Sequence, residues 1–374
     1  MMDKTFKNIC VLMCATYIAA ATIVSPHTAV GAAKSALALC SGVVIPSLFP
    51  FIFCANIFIA LGAAYYARKY LSKIMYPLFK ISGAGAAAFF LGIISGYPIG
   101  AICAAELFSK GECTKNEAER LAAFCNNSGP MFVIGAVGEQ MFGSHGTGVL
   151  LYLIHILSAV LTGMIIKFIF KDKTDIGDNS LRRLPPSHLE STLKNTAADI
   201  GAAVSKSVET ILMICGFVVI FAVFTSAIPD TKFKPYLYSI LEITGGLSQI
   251  SSLCGERNRL IISAAVISFS GISVYAQVTA VLTKQGLSSI PYLIGKAIQA
   301  AISAVIMFGV IKLNKGALPV FNINAQSSTT VFGLSSPIKC LNISVRMLAL
   351  AIVLFLSLCI IVKVFERVKT YILK

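Results

Sequence analysis

The segment Ile93-Ile94-Ser95-Gly96-Tyr97-Pro98-Ile99-Gly100 is apolar at both ends but broken in its middle by serine, glycine and proline. Asn126-Asn127-Ser128-Gly129-Pro130 breaks the next apolar segment in the same way. Unpaired backbone groups at membrane depth cost several kcal/mol each, so such breaks are tolerated only where they are buried in protein or line a polar cavity. The two breaks therefore predict a substrate site near the middle of a membrane.

The composition is that of a polytopic membrane protein. Of 374 residues, 56% are hydrophobic and only 13% are charged, whereas soluble domains carry about 25% charged residues. The mean hydropathy is +0.82. At about 20 residues per span, the apolar sequence accommodates roughly seven to ten crossings or hairpins.

The formal net charge of +15 raises nucleic acid as a partner. The basic residues instead cluster beside apolar segments, as the positive-inside rule expects. No nucleic-acid-binding signature is present. We therefore expect a lipid bilayer and a small-molecule substrate as partners and no nucleic acid, and the sequence leaves open whether the chain forms a homo-oligomer.

Metal and catalytic signatures are missing from the sequence. The eleven cysteines form no CxxC pair and no Cys/His metal spacing, and are typical of small buried hydrophobes. No GxSxG, HExxH or pair of intramembrane aspartates occurs. We expect no metal, no cofactor and no catalytic residue, so the chain is not expected to be an enzyme.

The apolar pattern divides the chain into four parts. We predict an N-terminal span in residues 1–30, a first repeat in 31–170, a cytoplasmic linker in 171–199, and a second repeat with a final span in 200–365. The linker holds balanced charges and a Pro-Pro pair, which is typical of a connection between two halves.

Residues 81–108 are predicted to form a re-entrant hairpin with Gly96-Tyr97-Pro98 at its tip. The basic stretch before this segment and the mixed charges after it both fit the cytoplasmic side. Thr114 and Glu117 have the spacing of a capping box, which predicts the start of a helix. That helix enters the membrane and breaks at Asn126–Pro130.

A weak internal repeat predicts a matching hairpin in the second half. Ser41–Val44 aligns with Cys215–Val218 in the second half. Ser95–Ala101 aligns with Ser270–Ala276, and the number of positions between the aligned segments is nearly the same in both cases. Two broken apolar segments at corresponding positions indicate an inverted-repeat transporter. On this interpretation residues 260–283 begin and end outside. The basic C-terminal tail then also falls outside, against the positive-inside rule, unless the last region holds a further re-entrant segment.

These motifs resemble a known family. The similar segments are Ser95–Ala101, Glu117–Leu121, Cys125–Pro130 and Phe269–Gln277. They resemble the YlbJ family of sporulation integral membrane proteins, also called SpoVV, which belongs to the nucleoside-recognition (Gate) domain group. The resemblance extends from Ser35 to Leu313.

The resemblance implies an all-α polytopic membrane protein with the architecture of the concentrative nucleoside transporters: an inverted repeat with two re-entrant hairpins and two unwound helices. It also implies a spore-forming bacterium and transport of dipicolinate (pyridine-2,6-dicarboxylate) from the mother cell toward the forespore, across the outer forespore membrane. The second half departs from this pattern. It has no clear counterpart of Asn126–Pro130, and its nearest polar interruption is Gly295–Gln299.

The candidate substrate-binding residues are the polar, aromatic and glycine residues at the breaks. They are Ser95, Gly96, Tyr97, Pro98, Gly100, Asn126, Asn127, Ser128, Gly129, Ser270, Gly271, Ser273, Tyr275 and Gln277. Helix N-termini at the breaks favour carboxylates, and the tyrosines could stack on a ring. The same residues have structural interpretations: glycines permit close helix packing, and amides and serines satisfy nearby backbone.

Three functions remain open from the sequence. The first is a carrier of a small aromatic carboxylate, with dipicolinate implied by the resemblance. The second is a nucleoside or nucleobase carrier on the same scaffold. The third is a sporulation membrane assembly protein that transports nothing.

Overall fold

The computed structural model describes residues 4–60, 63–170, 196–229, 231–253 and 255–313. Most of the predicted linker lies outside these described residues. The predicted last span, Leu341–Val364, and the basic tail also lie outside them.

The described residues are helical and contain no strand. The helices of the first half are α1 (Lys4–Val24), α2 (Pro26–Leu39), α3 (Ile45–Ala60), α4 (Ala63–Phe79), α5 (Gly85–Ser95), α6 (Ile99–Ser109), α7 (Lys115–Cys125) and α8 (His145–Ile169). Those of the second half are α9 (Thr196–Ser226), α10 (Lys234–Leu241), α11 (Ile243–Leu253), α12 (Glu256–Phe269), α13 (Gly271–Lys284) and α14 (Ile290–Leu313). Two π-helical segments, Cys40–Val44 and Met131–Met141, complete the described part.

Several of these helices are long and apolar enough to cross a membrane. Within the described ranges there are four such units: His145–Ile169, Ile200–Ser226, Arg257–Lys284 and Ile290–Leu313. The pair Leu12–Val24 and Pro26–Gly42 makes a fifth if it is one span, bent by 111°. The chain is therefore a polytopic helical membrane protein, as its composition predicts.

Helices α5 and α6 form a tight antiparallel hairpin. A Cβ on Gly92 would lie 3.1 Å from the Cα of Gly100, whereas eight residues of unbroken helix would separate the two by about 12 Å. The chain reverses at Gly96, which has a φ of 83°, and the Tyr97–Pro98 peptide bond is cis. The tip is where the sequence predicts it.

The start of α7 is held by the predicted capping box. The Thr114 side chain accepts a hydrogen bond from the Glu117 backbone N–H at 3.2 Å, and the Glu117 carboxylate accepts one from the Thr114 N–H at 2.9 Å. Its second carboxylate oxygen accepts a hydrogen bond from the Ser82 N–H at 2.9 Å. Glu117 thus joins the start of α7 to the segment that precedes the hairpin.

The second half also contains a helical hairpin, but at α10–α11. A Cβ on Gly246 would lie 2.2 Å from the Cα of Ser239, so these helices run antiparallel and the chain reverses at Glu242. The Glu242 carboxylate accepts hydrogen bonds from the backbone N–H groups of Thr244 and Gly245, at 2.9 and 2.7 Å, and so caps the start of α11.

The hairpin predicted at 260–283 is wrong. Helices α12 and α13 form one candidate span, Arg257–Lys284, that is interrupted at Ser270. Ser270 and Gly271 have φ values of 72° and 80°, which break the helical hydrogen bonding without reversing the chain. The alignment of Ser95–Ala101 with Ser270–Ala276 therefore pairs a hairpin tip with a break inside a span.

The end of α6, the start of α7, the end of α13 and the start of α14 lie on the same side of the molecule. Two ion pairs and one hydrogen bond to a backbone N–H show this arrangement. Glu106 on α6 pairs with Lys206 on α9. Lys284, the last residue of α13, pairs with Glu209 on α9 at 3.1 Å. Glu119, in the first turns of α7, accepts a hydrogen bond from the Ser288 N–H at 2.8 Å. The span Arg257–Lys284 therefore ends beside the base of the first hairpin.

Candidate functional site

The unwound segment Asn126–Pro130 lies between α7 and the π-helix Met131–Met141. Asn126, Asn127 and Ser128 are all buried, although none of them is in a helix. Buried backbone and amide groups must find partners or pay a desolvation cost. The partners of these three residues therefore show what the segment does.

Asn126 links the first hairpin to the last helix. Its side-chain oxygen accepts a hydrogen bond from the Ala101 backbone N–H at 3.3 Å, and its amide nitrogen donates one to the Tyr292 hydroxyl at 3.3 Å. Both groups of the side chain are thus used inside the protein. Asn126 holds α6 and α14 against the break.

Asn127 lies at the centre of a polar cluster with two residues of α14. Its side-chain oxygen is 3.1 Å from Nε2 of Gln299 and 3.4 Å from Nζ of Lys296. Lys296 also donates to Oε1 of Gln299 at 2.8 Å. The Asn127 amide nitrogen donates to the Phe124 carbonyl oxygen at 2.8 Å.

Lys296 is a buried lysine whose side-chain nitrogen has no anionic partner among the described residues. It is only 1% exposed, and none of the ion pairs that the described residues form includes it. Its hydrogen-bond acceptors are two neutral amide oxygens, and its ammonium lies 5.8 Å from the centre of the Tyr292 ring. Ionisable residues inside apolar spans mark substrate and ion pathways, so Lys296 is a candidate functional residue.

His155 on α8 connects the two breaks. Its Nε2 accepts a hydrogen bond from the Ser128 backbone N–H at 3.0 Å, and its Nδ1 lies 3.0 Å from the Ser268 hydroxyl, two residues before the second break. The Gln299 amide nitrogen also donates to the His155 carbonyl oxygen, at 3.3 Å. One imidazole thus contacts the first break and the end of α12.

The first hairpin packs its glycines against the unwound segment. A Cβ on Gly96 would lie 3.0 Å from the Gly129 nitrogen, and one on Gly100 would lie 2.4 Å from the Cys125 carbonyl oxygen. The glycines at the tip and in the unwound segment therefore allow close backbone contact between the two. The Tyr97 side chain forms a hydrogen bond with that of Ser128 in the unwound segment.

The second break, at Ser270 and Gly271, is also in close contact with the tip of a hairpin. A Cβ on Gly271 would lie 3.3 Å from the Leu241 carbonyl oxygen and 3.4 Å from the Ile243 nitrogen, so the α10–α11 tip packs on the glycine of the break. The tips of both hairpins thus lie against a break in the following helix.

The predicted site residues of α13 are also buried or partly buried. Ser273 and Gln277 are buried, and neither the Ser270 hydroxyl nor the Gln277 Oε1 has a hydrogen-bond partner in the described part of the chain. Tyr275 stacks on Tyr292, with ring centres 6.2 Å apart and planes inclined by 14°. The Tyr275 hydroxyl is 3.1 Å from that of Ser289. The stacked tyrosines join α13 to the residue that contacts Asn126.

The chain is 28% identical over 326 residues to the sporulation integral membrane protein YlbJ of Bacillus subtilis strain 168, an alignment that covers 77% of this chain and 79% of the relative. In sequence, the chain resembles this sporulation membrane protein over most of its length. No family model matches the chain. No solved structure matches it.

Three central residues of this site are not among those that the sequence predicts. They are His155, Lys296 and Gln299. Lys296 and Gln299 fall in the polar interruption Gly295–Gln299, and an ionisable residue inside an apolar span indicates a functional site by default. That signal was present in the sequence. The hydrogen-bond partners of these residues could not be predicted from the sequence, because Asn127 and Gln299 are 172 positions apart in the chain.

Proposed function

We propose that this YlbJ-like protein is a carrier for a small aromatic dicarboxylate, dipicolinate, and moves it from the mother cell toward the forespore across the outer forespore membrane. The observation that carries the proposal is the Lys296 ammonium, whose hydrogen-bond acceptors in the described part of the chain are neutral oxygens. A charged side chain inside an apolar span costs at least about 2.5–3.5 kcal/mol. A protein can tolerate a free-energy cost of this size at a binding site, because a bound anion neutralises the charge.

The residues around Lys296 have the chemistry to hold such an anion. A carboxylate of the substrate would replace the amide oxygens of Asn127 and Gln299 as the partner of the ammonium. The amide nitrogen of Gln299 adds a donor at the same place. Because an ammonium attracts a carboxylate more strongly than a neutral oxygen, above all in an interior of low dielectric constant, the exchange favours the substrate.

The aromatic ring of the substrate has a counterpart in the tyrosines. Tyr292 lies one helical turn before Lys296 on α14 and stacks on Tyr275. Aromatic rings prefer offset or edge contacts with one another and contribute about 0.5–1.5 kcal/mol beyond the area they bury. A flat ring carrying carboxylates would meet the tyrosine ring and the cation together.

An inverted repeat provides the transport mechanism in this proposal. Each half contains, in the same order, a helical hairpin, a helix broken in its middle, and a long helix. The hairpins are α5–α6 and α10–α11, and the long helices are α8 and α14. Broken helices at corresponding positions of two inverted repeats are typical of transporters that expose one site alternately to each side.

Uptake into proteoliposomes tests the proposal. Purified protein is reconstituted, and the uptake of labelled dipicolinate is compared with that of labelled uridine. We expect saturable uptake of dipicolinate in the wild type, none in Lys296→Met, and wild-type uptake in Lys312→Met, whose exposed lysine lies on the same helix.

The other candidate functions give different results in the same assay. Uptake of uridine but not dipicolinate would identify a nucleoside carrier. Absence of uptake of either compound, by protein that is monodisperse in detergent, would contradict transport and favour an assembly role.

A further inference from the structure

The hydrogen bonds of His155 fix the protonation of its ring. Because Nε2 accepts from the Ser128 N–H, that nitrogen carries no proton. Nδ1 must then carry the ring proton, and it donates to the Ser268 hydroxyl at 3.0 Å. A doubly protonated imidazole would direct an N–H group at the Ser128 N–H. The observed arrangement therefore requires a neutral His155.

Few charged groups face His155. It is 1% exposed, and Lys296 on α14 is the charged group whose field reaches it. The neighbouring helices bring neutral polar groups: Ser268 from α12 and Gln299 from α14. Among the described residues, no charged side chain of α4, α7, the π-helix Met131–Met141 or α12 forms a hydrogen bond with His155.

A dicarboxylate would leave this site with an unbalanced charge. The substrate of the proposed function brings two negative charges, whereas Lys296 supplies one positive charge. A net charge in an apolar interior is costly, and the cost falls when it is neutralised by a proton. His155 is a titratable residue linked to the cation through Gln299, which accepts a hydrogen bond from Lys296 and donates one to the His155 carbonyl oxygen.

We propose that His155 takes up one proton at Nε2 when a dicarboxylate dianion binds, so that the protein couples movement of the dianion to a proton. This inference rests on the proposed function. The proton comes from bulk water, and the charges of His155 and Lys296 then match the two carboxylates. Protonation of Nε2 also removes the acceptor of the Ser128 N–H. The unwound segment is thereby released from α8, which links the proton to a change in the first break.

Calorimetry of dipicolinate binding to the purified full chain tests the coupling. Titrations in buffers with different enthalpies of ionisation give the number of protons taken up per ligand, over a pH range in which dipicolinate remains a dianion. For the wild type near neutral pH we expect uptake of about one proton, and an affinity that falls up to about tenfold per pH unit as pH rises, as for any equilibrium linked to one proton.

His155→Gln is the matched variant, because a glutamine offers an oxygen to the Ser128 N–H and an amide to Ser268 but cannot be protonated. We expect it to bind dipicolinate with no proton uptake and no pH dependence. His145→Gln, at the start of the same helix, should behave as the wild type. The wild-type titration requires no variant, so a misfolded His155→Gln would not prevent the test.

The outcomes separate this inference from the proposed function. Dipicolinate binding to the wild type without proton uptake would overturn the coupling and leave the carrier intact. Equal proton uptake by the wild type and His155→Gln would assign the proton to another group and also overturn it. Absence of dipicolinate binding would overturn both proposals.

Discussion

The side-chain oxygen of Asn127 lies 3.4 Å from the ammonium nitrogen of Lys296, 169 positions later in the chain. This contact joins the break in the first half to the long helix of the second half. Both groups are buried, and the carbonyl dipole of Asn127 compensates the charge only in part. The site is therefore built around a cation that its own neutral partners leave unneutralised.

Replacing Lys296 should not destabilise the protein. Lys296→Met removes a buried charge and keeps a chain of similar length, so it also removes the free-energy cost of keeping that charge away from water. Thermal unfolding in detergent should show an unchanged or higher midpoint, with Lys312→Met as the control. A loss of about 3 kcal/mol or more, the cost of breaking a buried ion pair, would mean that the lysine has an anionic partner within the protein.

The hairpin should depend on the absence of a side chain at Gly100. A Cβ there would lie 2.4 Å from the Cys125 carbonyl oxygen, so Gly100→Ala must separate α6 from the end of α7. Overpacking of this kind costs about 1–3 kcal/mol, which thermal unfolding measures. Gly31→Ala on α2 is the control, because a Cβ there meets nothing within 4 Å. Equal midpoints for both variants would contradict this packing.

The two ends of the broken span Arg257–Lys284 should be accessible from opposite sides of the membrane. Single cysteines at the exposed residues Arg257 and Lys284, in a background without native cysteines, can be labelled with an impermeant maleimide in sealed vesicles of known orientation. We expect Lys284→Cys to react from the same side as Ser109→Cys, and Arg257→Cys from the other side. Reaction of Arg257→Cys and Lys284→Cys from one side would restore the re-entrant hairpin predicted at 260–283.

The broken span also changes the predicted side of the C-terminal tail. With one crossing at Arg257–Lys284 rather than a hairpin, the predicted span Leu341–Val364 would end in the cytoplasm. The tail residues Lys363, Arg367, Lys369 and Lys374 would then obey the positive-inside rule. The tail lies outside the described residues, so its side stays a prediction. A C-terminal fusion of green fluorescent protein should fluoresce, and a periplasmic reporter at the same place should be inactive; the reverse would contradict it.

The features that could be predicted from sequence have local causes. The tip at Gly96-Tyr97-Pro98 and the break at Asn126–Pro130 combine glycine with proline, the two residues that most destabilise the interior of a helix. The capping box of α7 needs only Thr114 and Glu117 at the right spacing. Each of these elements is present in the structure as predicted.

The remaining features depend on tertiary contacts. The α10–α11 hairpin turns at Glu242 without a glycine or proline at its tip, so no local pattern marks it. Whether a chain continues or reverses after Ser270 depends on what the next helix packs against. The partners of Lys296 and His155 lie in other helices. The sequence shows both residues as polar groups in apolar spans, but it does not show that they belong to one cluster.

If Lys296 recognises a carboxylate, the protein should bind a charged ligand more tightly than a neutral ligand of the same shape. The measurement is the affinity of purified protein for dipicolinate and for its neutral isostere pyridine-2,6-dicarboxamide. Loss of a buried charged partner costs about 2–5 kcal/mol, so the wild type should prefer dipicolinate by at least about 30-fold, and Lys296→Met should lose that preference. Equal affinities for the two compounds in the wild type, or an unchanged preference in Lys296→Met, would contradict the account.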